Sequence, residues 1–146
     1  MTTEVDKLPI KLFTATARVP ERAHEDDAGL DLFVDDECQS PLWPRETRRV
    51  YLGIGVRVQP GQMALILPRS STALRGLLIH SPPIDAGYVG HLSAIVTNTG
   101  SDPVPLPRGM KLCQLVVLPI ATPRPEVVED LGDSARGTGS FGSSGQ

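Results

Sequence analysis

Apolar residues along this chain fall into short runs cut by glycine, proline and polar turns, a pattern of many short strands rather than long helices. Ile10 to Ala17 and Leu30 to Val34 each read as a strand, separated by Val19-Pro20-Glu21-Arg22 and an acidic turn, His24-Glu25-Asp26-Asp27-Ala28-Gly29. On a period of two, Leu30 and Leu32 face one side and Asp31 the other, so this carboxylate is not forced into the core. Pro41 to Arg49 is polar and turn-rich. Val50 to Val58 then predicts one long strand that Gly53 and Gly55 bend or bulge. After the Pro60-Gly61 turn, Met63 to Leu67 is an apolar run fit for a buried strand. Pro68 to Gly76 carries the clearest helix signal, with serine N-caps, about a turn and a half of helix formers and a glycine stop. Leu77 to Ile79 and His91 to Thr97 are further strands, the second closing on an Asn98-Thr99-Gly100 turn. Val104 to Leu106 is hemmed by prolines and suits an edge strand, and Lys111 to Leu118 is a strand whose apolar run Gln114 interrupts. All-β is the expected class.

Composition agrees with that pattern and narrows the partners. With 14 Gly, 14 Pro and only Trp 1, Tyr 2 and Phe 3 in 146 residues, the chain is one turn-rich domain with enough length for a core. Lys and Arg total 14 against 17 Asp and Glu, the formal charge is -3, and no basic run occurs, so neither nucleic acid nor an anionic membrane is an expected partner. Cys38 and Cys113 have no metal-ligand spacing, and Met1 to Lys11 is polar and mixed in charge rather than a secretory leader. A cytoplasmic location with reduced thiols is expected. Past Pro119 the composition shifts to a proline-bounded linker, an acidic segment and a glycine- and serine-rich end, so residues 1–121 are expected to fold as the domain and residues 122–146 to form a flexible arm.

Several residues have a chemical use. In Ser81 to Gly90 two adjacent prolines stiffen the entry to a tight hairpin mouth, Asp85 offers a carboxylate able to activate water, and Tyr88 offers a flat ring for a sugar or base. Asp-x-Gly is also ordinary turn chemistry, and Tyr ordinary strand filling. Arg69, Ser70 and Ser71 at a helix start suit a phosphate, where a plain capped connector would need one serine. Asp31, close to further acids, suits either a hydrated Mg2+ or plain solvent exposure. Gln114 is either an anchor for neighbouring backbone or a ligand contact. Arg136 and Phe141, set among glycines and serines, suit a lid that orders on a ligand, Arg on phosphate and Phe on a base.

Taken together, AGLDL, PRSSTA, PPIDAGYVG, RGMKLCQLV and RGTGSFGSSG, in this order from Ala28 to the terminus, resemble the five motifs of the trimeric dUTPase family. The resemblance implies a homotrimer of distorted β-sandwich, jelly-roll-like subunits whose C-terminal tails are exchanged, with each active site built from three chains. It implies Mg2+-dependent hydrolysis of dUTP to dUMP and pyrophosphate, which limits uracil in DNA and supplies dUMP for dTMP synthesis. By motif position, Asp85 would activate the water attacking the α-phosphorus, and Asp31 would support the metal through water. Arg69, Ser70, Ser71 and Gln114 would hold phosphates, Tyr88 would pack under the deoxyribose, and His80, Pro83 and Ile84 would line the substrate pocket. From another subunit, Arg136 would reach the terminal phosphate, Phe141 with Gly142 would cover the uracil, and Ser143 would add a phosphate contact. The sequence departs from the family pattern at His80, where an Asn often stands, at Val89 and His91, where an Arg and an acid are common, and at Ser140, where Gly is usual. The related dCTP deaminases share the fold, and a deaminase or a relative acting on both dCTP and dUTP is the runner-up enzyme, but the family's deaminating glutamate falls at Ile95 here, leaving that reaction without its proton shuttle. A nucleotide-gated, protein-binding role on the same scaffold is the alternative of another class, with Asp35 to Arg49 as its candidate surface.

Overall fold

Gly53 sets the course of the chain. In the computed structural model, which describes residues 7–139, 141 and 142, this glycine has φ 75, and a Cβ there would lie 2.8 Å from the Ala17 Cβ and 2.5 Å from the Asp35 Oδ2. Only glycine fits a left-handed corner so enclosed. The run expected as one strand from Val50 to Val58 is therefore two, β3 (Thr47–Tyr51) and β4 (Ile54–Val56), and they join different sheets. β4 pairs antiparallel with β1 (Ile10–Leu12). β3 belongs to a sheet of order β3-β7-β6, with β6 spanning Leu77–His80 and β7 Ser93–Asn98. The remaining sheet has order β2-β8-β5, from Leu30–Phe33, Lys111–Pro119 and Gln62–Pro68, again antiparallel throughout. All-β with one short helix is thus the architecture of the described residues.

Alternating side chains of these sheets close on a shared core. Leu32, Val50, Leu52, Ile54, Ile66, Val96, Leu112 and Leu115 are all buried in a single cluster. Burial of such side chains is the main stabilising term, about 1.5–3 kcal/mol each before chain entropy is charged against it. Asn98 is buried with them at no hydrogen-bonding loss: its Nδ2 donates to the carbonyls of Leu42 at 2.9 Å and Asp102 at 2.8 Å, and its Oδ1 accepts from the Gly100 N–H. This fixes the expected turn after β7.

Three local expectations change. The first strand ends at Leu12 rather than Ala17, because the Thr14 and Thr16 hydroxyls turn inward to donate to the Asp35 carboxylate, Thr16 at 2.6 Å. Val104 makes a single bridge to Leu42 instead of an edge strand. The helix, α1 (Ser70–Leu74), takes Arg69 and not a serine at its N-cap, and no side chain caps it. Thr72 holds α1 in place instead, its buried hydroxyl donating to the Leu112 carbonyl at 2.7 Å.

β6 and β7 are antiparallel neighbours, Leu77 opposite Asn98 and His80 opposite Ile95, so residues 81–92 form the loop of a hairpin wider than the tight mouth expected. Ile84 pins that loop to β5 through paired backbone hydrogen bonds with Ala64 and a buried side chain. Residues 120–139 are exposed and contain no strand or helix, and Val127, Leu131 and Phe141 lie almost wholly in solvent. No helix among the described residues is long and apolar enough to cross a membrane.

Candidate active site

The hairpin loop forms one cleft, of about 230 Å³, against β5 and β7. Its wall carries His80, Pro83, Ile84, Asp85 and Tyr88, all expected from sequence, together with His91, which was notable only as a departure. A turn closed by the Tyr88 N–H donating to the Asp85 carbonyl at 3.0 Å sets the carboxylate and the ring side by side. The Tyr88 hydroxyl donates to the His91 carbonyl at 3.0 Å, and the ring lies across Gly90, where a Cβ would come within 2.8 Å of Cζ. Asp85 is exposed and its carboxylate has no hydrogen bond or ion pair among the described residues. Both oxygens are therefore open to water, as a general base requires.

His80 is tied at the far wall by a 2.8 Å contact between its Nε2 and the Thr97 hydroxyl, which in turn meets Thr47 at 2.6 Å. Ile95, the position at which an acid would serve deamination, lies in the middle of β7 between Arg49 and His80.

Register builds the second cleft, of about 470 Å³. The β2–β8 ladder sets Asp31 directly opposite Gln114, and the β5–β8 ladder sets Leu67 opposite the same glutamine, so the strand that leads into α1 ends beside both. Arg69, Ser70 and Ser71 then face Gly29, Asp31 and Gln114 across the opening. Asp31 does turn away from its leucine neighbours, but it does not reach open solvent. Its carboxylate pairs with Arg69 Nε at 3.2 Å and Lys111 Nζ at 3.4 Å. Lys111 also reaches Glu21 at 3.7 Å. Arg69 further donates to the Lys111 carbonyl at 3.2 Å, which holds its guanidinium at the cleft edge. The Gln114 Nε2 donates to the Pro68 carbonyl at 2.9 Å and its amide packs on Gly29, so both roles weighed for it meet here: a backbone anchor whose head lines a cleft.

Sequence reading missed Gly29, Lys111 and the ring contacts of His91. Alternation along β8 sets Lys111 and Gln114, three residues apart, on opposite faces, and the register shift between Leu32 and Phe33 in the β2–β8 ladder, which no local pattern announces, accompanies the turn of Lys111 toward Asp31. Nothing local marks Gly29 as more than a turn residue.

Among the described residues none lines both clefts, and none of the tail lines either. Arg136, Phe141 and Gly142 lie outside both, with Phe141 fully exposed, and Ser143 falls outside the described residues. Among the described residues no three His, Cys, Asp or Glu side chains gather closely enough to hold a metal ion directly. Burial pushes the Cys113 thiol up to about 12, against the opposing charge of Arg69, so it is an inert core group rather than a nucleophile.

Known proteins match across nearly this whole length. The family model described as dUTPase matches residues 15–145. A deoxyuridine 5'-triphosphate nucleotidohydrolase of Gloeothece citriformis is 36% identical over 142 residues, covering 95% of this chain and 97% of that protein. One of Gloeobacter violaceus is 42% identical over 130 residues, covering 87% and 88%. Among solved structures, the Staphylococcus bacteriophage 80alpha dUTPase with dUPNHPP superposes with a TM-score of 0.90 at 29% identity, over 97% of this chain and 99% of that one. A mutant dUTPase from phage phi11 of S. aureus, described for its coordination of a structural Mg(II) ion, gives 0.80 at 28% identity over 86% and 98%. With an antiparallel all-β architecture, an exposed carboxylate beside a tyrosine ring and a separate Arg-Ser-Ser cleft, this chain belongs to the dUTPase family.

Proposed function

We propose that the protein hydrolyses dUTP to dUMP and pyrophosphate, and that it does so in a site assembled from more than one copy of the chain. The observation that carries this reading is the division of its chemistry into two clefts with no lining residue in common, one with the base and the ring, the other with the anion-binding groups. A nucleoside triphosphate needs both at once, so a neighbouring copy must bring its second cleft to the first one's Asp85. A homotrimer with the tail of a further copy closing over the substrate satisfies that need, and residues 122–146, exposed where described, have the reach of such an arm.

In this mechanism Asp85 takes a proton from water as the water oxygen bonds to the α-phosphorus. The bond from that phosphorus to its bridging oxygen breaks, and the electron pair leaves with pyrophosphate. The α-phosphorus is attacked in line, so the protein's main task is to hold the chain of phosphates straight. Arg69 and the Ser70 and Ser71 hydroxyls grip phosphate oxygens, Gln114 adds an amide, Arg136 of the tail neutralises the leaving end and Ser143 adds a hydrogen bond to phosphate. Tyr88 packs on the sugar, His80, Pro83 and Ile84 line the base side, and Phe141 with Gly142 covers it.

Mg2+ fits this site only as a hydrated ion carried by the substrate. Asp31 is committed to two cations, and among the described residues no three His, Cys, Asp or Glu side chains gather around a common point, which suits a contact through water and not a protein-built cage. When bound, the ion supplies charge neutralisation to the phosphates.

Incubating the purified protein with each deoxynucleoside triphosphate and Mg2+ and resolving base and phosphate products tests the proposal. dUMP and pyrophosphate from dUTP are expected. A uracil nucleotide formed from dCTP, or an inert dUTP, would overturn it.

A further inference from the structure

We infer that His91 is a positioning residue for the hairpin cleft: its unprotonated ring locks the loop to the Gly53 corner and thereby holds Tyr88 in place beside Asp85. The inference rests on the reading of that cleft as the nucleoside end of the active site.

The imidazole is held from three directions. It stacks on Phe13 with ring centres 5.0 Å apart and planes 5° from parallel, and Tyr51 closes the other side at 4.8 Å and 43°. Its Nε2 accepts the Gly53 N–H at 2.9 Å. A ring nitrogen that accepts carries no proton, so the proton of the neutral ring sits on Nδ1. The next residue completes the seam: the Leu92 N–H donates to the Ile54 carbonyl at 2.7 Å, and its carbonyl accepts the Leu52 N–H at 3.1 Å. The loop is thus sewn to the corner by two bonds that do not titrate and one that does.

Tyr88 depends on this seam through the His91 carbonyl, the acceptor for its hydroxyl. Any shift of the His91 backbone carries the Tyr88 ring with it. Gly55 leaves no slack behind the loop, since a Cβ there would meet the Phe13 ring at 2.6 Å and the Gly90 carbonyl at 2.8 Å. Protonation of His91 would set two N–H donors against each other at the Gly53 contact, and the ring would have to move.

Charged groups face His91 from each element around it. Asp35 lies behind the Gly53 corner, held by Thr14, Thr16 and Arg108. Asp36 accepts the Tyr51 N–H at 2.8 Å, Arg49 lies over the Tyr51 ring, and Lys11 over the Phe13 ring. Burial and Arg49 favour the neutral ring, Asp35 and Asp36 the charged one, and the balance holds His91 below the usual imidazole range. The ring is therefore unprotonated at neutral pH and the seam is closed.

The test is the pH dependence of kcat and KM for dUTP in the full chain, from about pH 5.5 to about pH 8.5, compared with His91→Gln and His91→Phe. Gln keeps an acceptor that does not titrate, whereas Phe keeps the stack without any acceptor. Substrate ionisation affects all three proteins alike and cancels in their ratios. The ratio of wild-type KM to the Gln variant's KM is expected to rise about fivefold as acid protonates His91, the factor expected for one lost neutral hydrogen bond, while the kcat ratio stays flat. His91→Phe should show the raised KM at every pH. Parallel KM profiles for wild type and His91→Gln would overturn the inference. If the wild-type chain does not hydrolyse dUTP at any pH, the activity reading fails instead, and NMR of the same protein decides this one. Tyr88 ring resonances that move in step with the His91 titration support it, and Tyr88 resonances that stay fixed through that titration overturn it.

Discussion

Replacing Gly29 by Ala tests whether the second cleft is built as tightly as its geometry states. Gly29 is buried at the entry to β2, and a Cβ there would overlap Gln114 Oε1 and lie 2.8 Å from its Cδ and 3.0 Å from its Cβ. The amide is the far end of a flexible chain and can swing aside, but doing so breaks its 2.9 Å bond to the Pro68 carbonyl. The Gln114 Cβ cannot swing. It is fixed by ladders on both sides, Asp31 in β2 and Leu67 in β5, so the strands themselves must give by tenths of an ångström. Overpacking of this kind costs about 1–3 kcal/mol, and the lost hydrogen bond adds about 1 kcal/mol less whatever water restores to the freed groups. A net loss of about 2 kcal/mol is expected, a fall in Tm of about 8 °C for a chain of this size. Calorimetry at one fixed protein concentration measures it, because the Tm of the proposed oligomer would depend on concentration. The double variant with Gln114→Gly makes the test specific: once the glutamine side chain is gone, Cβ included, most of the cost of Gly29→Ala should vanish. An unchanged Tm in the single variant, or strictly additive losses in the double, would refute the reasoning.

Asp85→Asn should cut dUTP turnover by about 10²–10⁴-fold while nucleotide binding by calorimetry stays near wild type, and turnover comparable to wild type would remove Asp85 as the base. Ending the chain before Arg136 should lower kcat about a hundredfold and leave Tm within a degree or two, since the described tail packs on neither cleft; a large fall in Tm would show it to be part of the fold. Thr72→Val keeps the shape of the side chain but removes the donor to the Leu112 carbonyl, so chemical denaturation should show a loss of about 1–3 kcal/mol, and a change under about 0.5 kcal/mol would mean that α1 is held by something else.

What could be read from the sequence was what period-two burial decides locally. Leu30 to Val34, Met63 to Leu67 and Lys111 to Leu118 hold strands where their apolar runs placed them, although burial alternates strictly only along Met63 to Leu67. The corner at Gly53 was legible only in part. The glycine itself marked a bend, but Asp35 and Ala17, which close the space beside it, lie far along the chain and leave no mark on the Val50 to Val58 pattern to say that the strand breaks there and changes sheets. The same holds for Thr47 to Arg49, polar enough to pass for turn, which become strand only by pairing with β7. Arg69 displaced the serines from the cap because its guanidinium answers Asp31 on β2, a tertiary demand that overrides a local preference.

Charge explains why the site's membership was easier to read than its grouping. The residue types of the second cleft suggested a phosphate, yet within one copy its cations are already spoken for: Arg69 and Lys111 face Asp31, and Lys111 also faces Glu21. Among the described residues that line the cleft, Arg69 stands against Asp27 and Asp31, and the Lys111–Glu21 pair adds no net charge, which leaves little net attraction for a triphosphate. The ion pairs keep Arg69 and Lys111 in place without substrate, and phosphate oxygens must then compete with Asp31 for the same guanidinium. Binding becomes favourable only when further positive charge arrives, and the proposed assembly brings it from two sources, the hydrated ion that travels with the substrate and Arg136 of another copy's tail. In the proposed assembly a cleft balanced in this way would discriminate: a lone monophosphate, which recruits neither, would gain little on entering, whereas a triphosphate that draws in both would be held along its whole length.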